Sequence, residues 1–229
     1  MDKKYCYPGS DVLINKLGIQ DEQKLHIIER QLTSQNDIEL KLKPIKGSFD
    51  LKHLQAINKA IFGDIYLWAG KLRDVNIAKT RMFCLSQHIP TMADDIFSKL
   101  KNDKFLDGLE KSDFIDKLSY YMGEVNALHP FREGNGRTQR HFFTQLAEGA
   151  GYSLDFSKTD RQTLLTADIN AMDGRYDELK NVLRNCVKPL QNEAEKSKTS
   201  VLAKLKTAKK ETSQSAPKQS RKKSHIIDL

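Results

Sequence analysis

Apolar residues recur at steps of three and four through most of the first 190 positions, and strand-like alternation is scarce. Leu51, Leu54, Ile57 and Ile61 predict a helix over 51–62 that stops at Gly63. Met92, Ile96, Phe97 and Leu100 predict a second over about 89–101. A third begins at Ser112 or Asp113 and carries Phe114, Leu118, Tyr121, Met122, Val125 and Leu128 along nearly its whole length, the pattern of a core helix. A fourth follows Gly136, with Phe142, Phe143, Leu146, Ala147 and Ala150, and ends among the glycines at 149 and 151. Further helices are predicted at 160–172 and 176–186. The fold class expected is therefore mainly α, a helical bundle.

The stretch from Gly70 to Ser86 departs from this spacing. Val75, Ile77, Met82 and Cys84 or Leu85 flank the polar run Ala78-Lys79-Thr80-Arg81, which predicts a small two-stranded β-hairpin. A lone hairpin is marginal in water, so it is expected to lie on the helices as a flap. No internal repeat appears.

Length allows one well-filled core with appendages or two small domains, and composition supplies the boundary. Residues 191–229 hold ten Lys or Arg against Glu193, Glu195, Glu211 and Asp228, leaving 28 basic and 26 acidic residues before them. The alkaline balance is mostly a property of this tail. It has no aromatic residue and cannot bury enough apolar surface to offset ordering entropy, so residues 1–190 are read as the folded domain and 191–229 as a solvated tail. Val201, Leu202 and Leu205 would fit one side of a short helix over about 194–210. Two readings of the tail stand open: an arm for a polyanionic partner, or a solubilising extension. Cys6, Cys84 and Cys186 lack paired spacing for zinc or redox chemistry and are expected to be free thiols. With neither a signal-peptide stretch nor an apolar run near the ~20 residues of a membrane span, a soluble cytoplasmic protein is expected.

Chemistry concentrates between the third and fourth helices, in His129-Pro130-Phe131-Arg132-Glu133-Gly134-Asn135-Gly136-Arg137-Thr138-Gln139-Arg140. Pro130 disfavours helix at His129 and leaves the imidazole at the lip of a loop. Gly134, Asn135 and Gly136 tolerate left-handed backbone, so their amides can converge on an anion where the next helix begins. Arg137 and Arg140 share a face of its first turn and could reach outer phosphates. Glu133 would repel phosphate unless a divalent cation lay between them, which suggests Mg²⁺. Each residue alone has an ordinary explanation as a cap, a turn or a solvated charge. Their order within twelve residues instead supplies base, metal ligand, phosphate cradle and clamps.

That segment resembles the Fic motif: His, any, Phe, any, Asp or Glu, Gly-Asn-Gly-Arg, two residues, Arg. The resemblance extends to Asp64-Ile65-Tyr66-Leu67-Trp68-Ala69-Gly70-Lys71-Leu72-Arg73 before the flap and to Glu124-Val125-Asn126-Ala127-Leu128 before the motif, covering about residues 16–190. It implies a Fic fold and the transfer of AMP from Mg-ATP to a Ser, Thr or Tyr hydroxyl of a target protein. By motif position it implies His129 as catalytic base, Glu133 as Mg²⁺ ligand, and Gly134, Asn135 and Gly136 as the cradle for the α- and β-phosphates. Arg137 and Arg140 become the β- and γ-phosphate clamps, Lys79 and Thr80 the part of the flap over the nucleotide, and Tyr176 a wall of the adenine pocket. The unperturbed histidine pKa of ~6.5 suits a base.

Many proteins of that family carry an inhibitory helix with Ser or Thr, three residues, then Glu and Gly or Asn, whose Glu pairs with the second motif arginine. Thr33 to Leu40, Ser112 to Ser119, Thr166 to Gly174 and the tail lack that pattern. The resemblance thus implies a toxin-type member controlled by a separate small antitoxin that supplies a Glu to Arg140. A type II topoisomerase subunit is the target such toxins suggest. The alternatives are a basic nucleic-acid-binding protein, or transfer of another phosphate-containing group. The near-neutral body and the absence of a nucleic-acid reader motif weigh against the first.

Overall fold

The computed structural model describes residues 3–79 and 81–190. Thr80 and the tail, with its candidate helix, lie outside the described residues. Seven helices form the body: α1 (Glu22–Leu42), α2 (Leu51–Phe62), α3 (Ile89–Asn102), α4 (Lys111–Leu128), α5 (Asn135–Gly149), α6 (Arg161–Ala171) and α7 (Asp177–Cys186). Asp21, Asp50 and Asp160 cap α1, α2 and α6 by accepting hydrogen bonds from the amides of Lys24, His53 and Thr163. All six helices expected from apolar spacing start and stop within two residues of the expected positions, α4 beginning at Lys111.

Helix α4 is the core helix, buried through Phe114, Ile115, Leu118, Tyr121, Met122, Val125 and Leu128, and it packs on α3, α5, α6 and α7. Phe142, Phe143 and Leu146 of α5 are fully enclosed beside Leu54, Ile57, Ile61 and Phe62 of α2. At roughly 2 kcal/mol for each fully buried side chain, this pairing holds α5 rigidly enough to present a site at its N-terminus. Ser119 and Gly123 are also buried on α4, and any Cβ at Gly123 would lie 2.9 Å from the Tyr176 ring, so the small residue admits the start of α7.

Helix α1, the longest, has no counterpart in the expected set. Its inward face is polar: Glu29, Thr33 and Asp37, four residues apart, meet Arg137 and His141 of α5. Strands β1 (Tyr152–Leu154) and β2 (Val187–Pro189) pair antiparallel, Tyr152 opposite Pro189 and Leu154 opposite Val187. The flap is reduced from the expected hairpin to a single antiparallel bridge between Ala78 and Met82. Its alternation is shifted by one residue from the expected one: Met82 is exposed and Phe83 turns inward. Cys6, Cys84 and Cys186 are free thiols. Among the described residues no helix is long and apolar enough to cross a membrane.

Candidate active site

The site is the junction of two helix ends. Helix α4 stops at His129, whose backbone is left-handed (φ 43°, ψ 60°), and α5 starts after Gly134, also left-handed at φ 82°. Gly134 is obligatory on steric grounds as well, since a Cβ there would lie 1.9 Å from the Phe62 ring. Asn135 is buried, and its side chain pins the intervening loop: Oδ1 accepts from the Phe131 amide at 2.9 Å and Nδ2 donates to the Phe131 carbonyl at 2.7 Å. With its side chain occupied in this way, Asn135 has only its backbone amide to offer the expected phosphate cradle. No side chain caps α5. The Gly134 amide donates to Glu133 Oε1 at 2.8 Å, and the first-turn amides of Asn135, Gly136 and Arg137 are left without an intrahelical partner, where an anion could be received.

His129 is 8% exposed. Its Nδ1 lies 3.2 Å from the Asn126 carbonyl, which can only accept, so the hydrogen sits on Nδ1 and Nε2 carries the free lone pair. Among the described residues Nε2 has no partner. The Phe83 ring of the flap stacks on the imidazole. Burial pushes the imidazole pKa down to about 3; the Asn126 hydrogen bond opposes this, and the positive charges of Lys79 and Arg73 add to it. The imidazole is thus far from the ordinary value near 6.5 expected of it, and burial favours its neutral form.

The two motif arginines differ. Arg137, expected to be a free phosphate clamp, is already engaged: Nη1 donates to Thr33 Oγ1 at 2.6 Å, Nη2 pairs with Glu29 at 2.8 Å, and the guanidinium lies 4.5 Å over the Phe62 ring. Tyr66 donates its hydroxyl to the other Glu29 oxygen at 2.6 Å, and burial followed by that bond pushes the phenol pKa up. Arg140 makes no hydrogen bond or ion pair among the described residues. Burial lowers its pKa, opposed by the charges of Asp168 and Asp37. Burial in turn raises the Asp168 carboxyl to about 7 against the pull of Arg140.

Glu133 is partly exposed, with Arg137 3.9 Å away. Among the described residues no three metal-ligating side chains cluster. One accessible carboxylate beside an anion nest nonetheless fits Mg²⁺ brought in by a polyphosphate, because Mg²⁺ keeps its waters and takes only one or two protein carboxylates in such sites. Lys79 is exposed on the flap, near enough to influence His129. Tyr176 sits at the N-terminus of α7, its hydroxyl 3.4 Å from Glu124, about a turn of α4 before His129. Arg81 at the flap tip pairs with Asp173, beyond α6.

The Fic/DOC family profile matches residues 48–147. The Probable protein adenylyltransferase Fic of Escherichia coli K12 is 36% identical over 159 residues, 69% of this chain and 78% of that protein. The chain belongs to the Fic/DOC family. Protein adenylyltransferase VbhT of Bartonella schoenbuchensis is 41% identical over 181 residues, 79% of this chain, which spans only 38% of that longer relative. Among solved Fic structures, BepC from Bartonella tribocorum with bound AMPPNP superposes with a TM-score of 0.75 at 26% identity, covering 83% of this chain and 99% of that one.

Glu29, Thr33, Arg73, Phe83 and Asn126 are the site residues that sequence reasoning missed. None lies in the motif; Arg73 and Asn126 fall in the two flanking stretches that resemble the family without a role of their own, and the Glu29–Thr33–Asp37 spacing reads as easily as a solvated helix face.

Proposed function

We propose that this chain transfers AMP from ATP to a Ser, Thr or Tyr hydroxyl of a target protein, releasing pyrophosphate. Its family membership, with relatives named protein adenylyltransferases, makes it a nucleotidyltransferase enzyme. The observation that carries the reading is the lone pair of His129 Nε2, unpartnered at the mouth of an amide nest. The target hydroxyl gives its proton to Nε2 while its oxygen forms the new bond to the α-phosphorus. The bond to pyrophosphate breaks, and the leaving group departs with the electron pair. The Asn135–Arg137 amides hold the phosphates in line, and Arg140 meets the negative charge gathering on the leaving group. Glu133 would hold Mg²⁺, which neutralises phosphate charge when bound.

Control by a separate small protein belongs to the same proposal. The support for it is the contrast between the arginines: Arg137 already has a carboxylate of its own chain, whereas Arg140 has none in hydrogen-bonding reach among the described residues. A Glu supplied in trans would fill that place and displace the outer phosphate. The expected setting is the cytoplasm, and a type II topoisomerase subunit is the target the family resemblance offers.

ATP labelled at the α-phosphate, incubated with a bacterial lysate, should label a protein; ATP labelled at the γ-phosphate should not. His129→Ala should reduce labelling by about 10²-fold or more with nucleotide affinity retained. Transfer of the γ label, or near-normal α labelling by the variant, would sink the reading.

A further inference from the structure

Arg73, at the start of the flap, is the largest fully buried side chain among the described residues, 2% exposed, and no carboxylate is among its described partners. Its guanidinium is satisfied by backbone carbonyls alone. Nε donates to His129 at 2.8 Å, Nη1 to Val75 at 2.8 Å, and Nη2 to Cys84 at 2.5 Å and Leu128 at 3.4 Å. The Arg73 amide donates to the Pro130 carbonyl at 2.9 Å, and the Cys84 amide to that of Ala127 at 2.9 Å. Four successive carbonyls at the end of α4, 127 to 130, are thus held from the two ends of the flap. A helix leaves its last carbonyls unpaired and its C-terminus partly negative, so this buried cation sits where the backbone itself supplies the compensating charge.

We propose that Arg73 is the positioning residue of the reaction: it clamps the left-handed peptide of His129 and welds it to both ends of the flap, so that base and flap move as one piece. The inference rests on the reading of His129 as base. A planar five-donor fork can serve four carbonyls from two segments at once; a lysine ammonium keeps the charge but not the geometry. Without the clamp, His129 is free to leave a backbone conformation that is unfavourable for any residue with a Cβ.

The test uses the full chain with Arg73→Lys and Arg73→Met, alone and combined with His129→Ala. Arg73→Lys should lower kcat at least about tenfold, while the Kd for a non-hydrolysable ATP analogue stays within about threefold. In the His129→Ala background it should add no further loss, because Arg73 acts through the imidazole. Parallel losses of kcat and nucleotide affinity, a kcat within twofold of the parent, a full additional loss on top of His129→Ala, or a lysine variant that does not fold would each overturn the proposal. Arg73→Met, which removes every donor, should lower kcat at least as far as Arg73→Lys, and a smaller loss than the lysine variant shows would also overturn the proposal. Full transfer by His129→Ala alone would instead refute the base, whatever Arg73→Lys does.

Discussion

The ring of Phe83 lies nearly flat on the imidazole of His129, with 3.7 Å between centroids and 16° between planes. One face of the base is thereby dry, and protonation would place a charge against hydrocarbon. That is the physical content of a pKa near 3.

Activity should therefore not fall with His129 protonation between pH 7.5 and 5.5. An imidazole titrating at ~6.5 would lose about tenfold over that interval, whereas one depressed to about 3 stays neutral, and kcat should change less than about twofold. Asp168 titrates in the same window, its carboxyl raised to about 7, so the profile is best measured with Asp168→Asn. An acid limb near pH 6.5 in that variant would show His129 to be solvated during turnover.

The partly buried pair of Glu29 and Arg137 ties α1 to α5. Glu29→Ala and Arg137→Ala should each destabilise by about 1–2 kcal/mol, and the double variant by clearly less than their sum, a coupling within the range for contacting residues. Denaturant unfolding of the four proteins measures it. Strict additivity would mean that the pair contributes nothing.

Gly134 and Gly136 should respond oppositely to alanine. At Gly134 a methyl group meets Phe62 with the backbone left-handed, and a loss of about 3 kcal/mol or more, or failure to fold, is expected. At Gly136 the nearest atom to an added Cβ is Arg140 Nη1 at 3.5 Å, so stability should stay within about 0.5 kcal/mol of the parent. Thermal melts of the two variants decide the matter.

Apolar spacing alone located α4 and α5, because both bury hydrocarbon on one side, and the motif between them was legible because so many of its positions are specified. Helix α1 was hidden for the opposite reason. Beside Leu25, Leu32 and Leu40, its inward side is Glu29, Thr33 and Asp37, and a stripe that pairs with another helix reads like one that pairs with water. The flap was misread by one residue, since Met82 and Phe83 are both apolar and only packing against His129 selects the second. Arg73 gave no sign of burial, because its partners are carbonyls that every residue possesses.

The left-handed turn at position 129 has one more consequence. Glycine would be the most comfortable residue there, and the chemistry forbids it. The protein carries its base at a position where selection for durability and selection for turnover pull toward different residues, so a lineage released from its catalytic task should lose this histidine before it loses the fold.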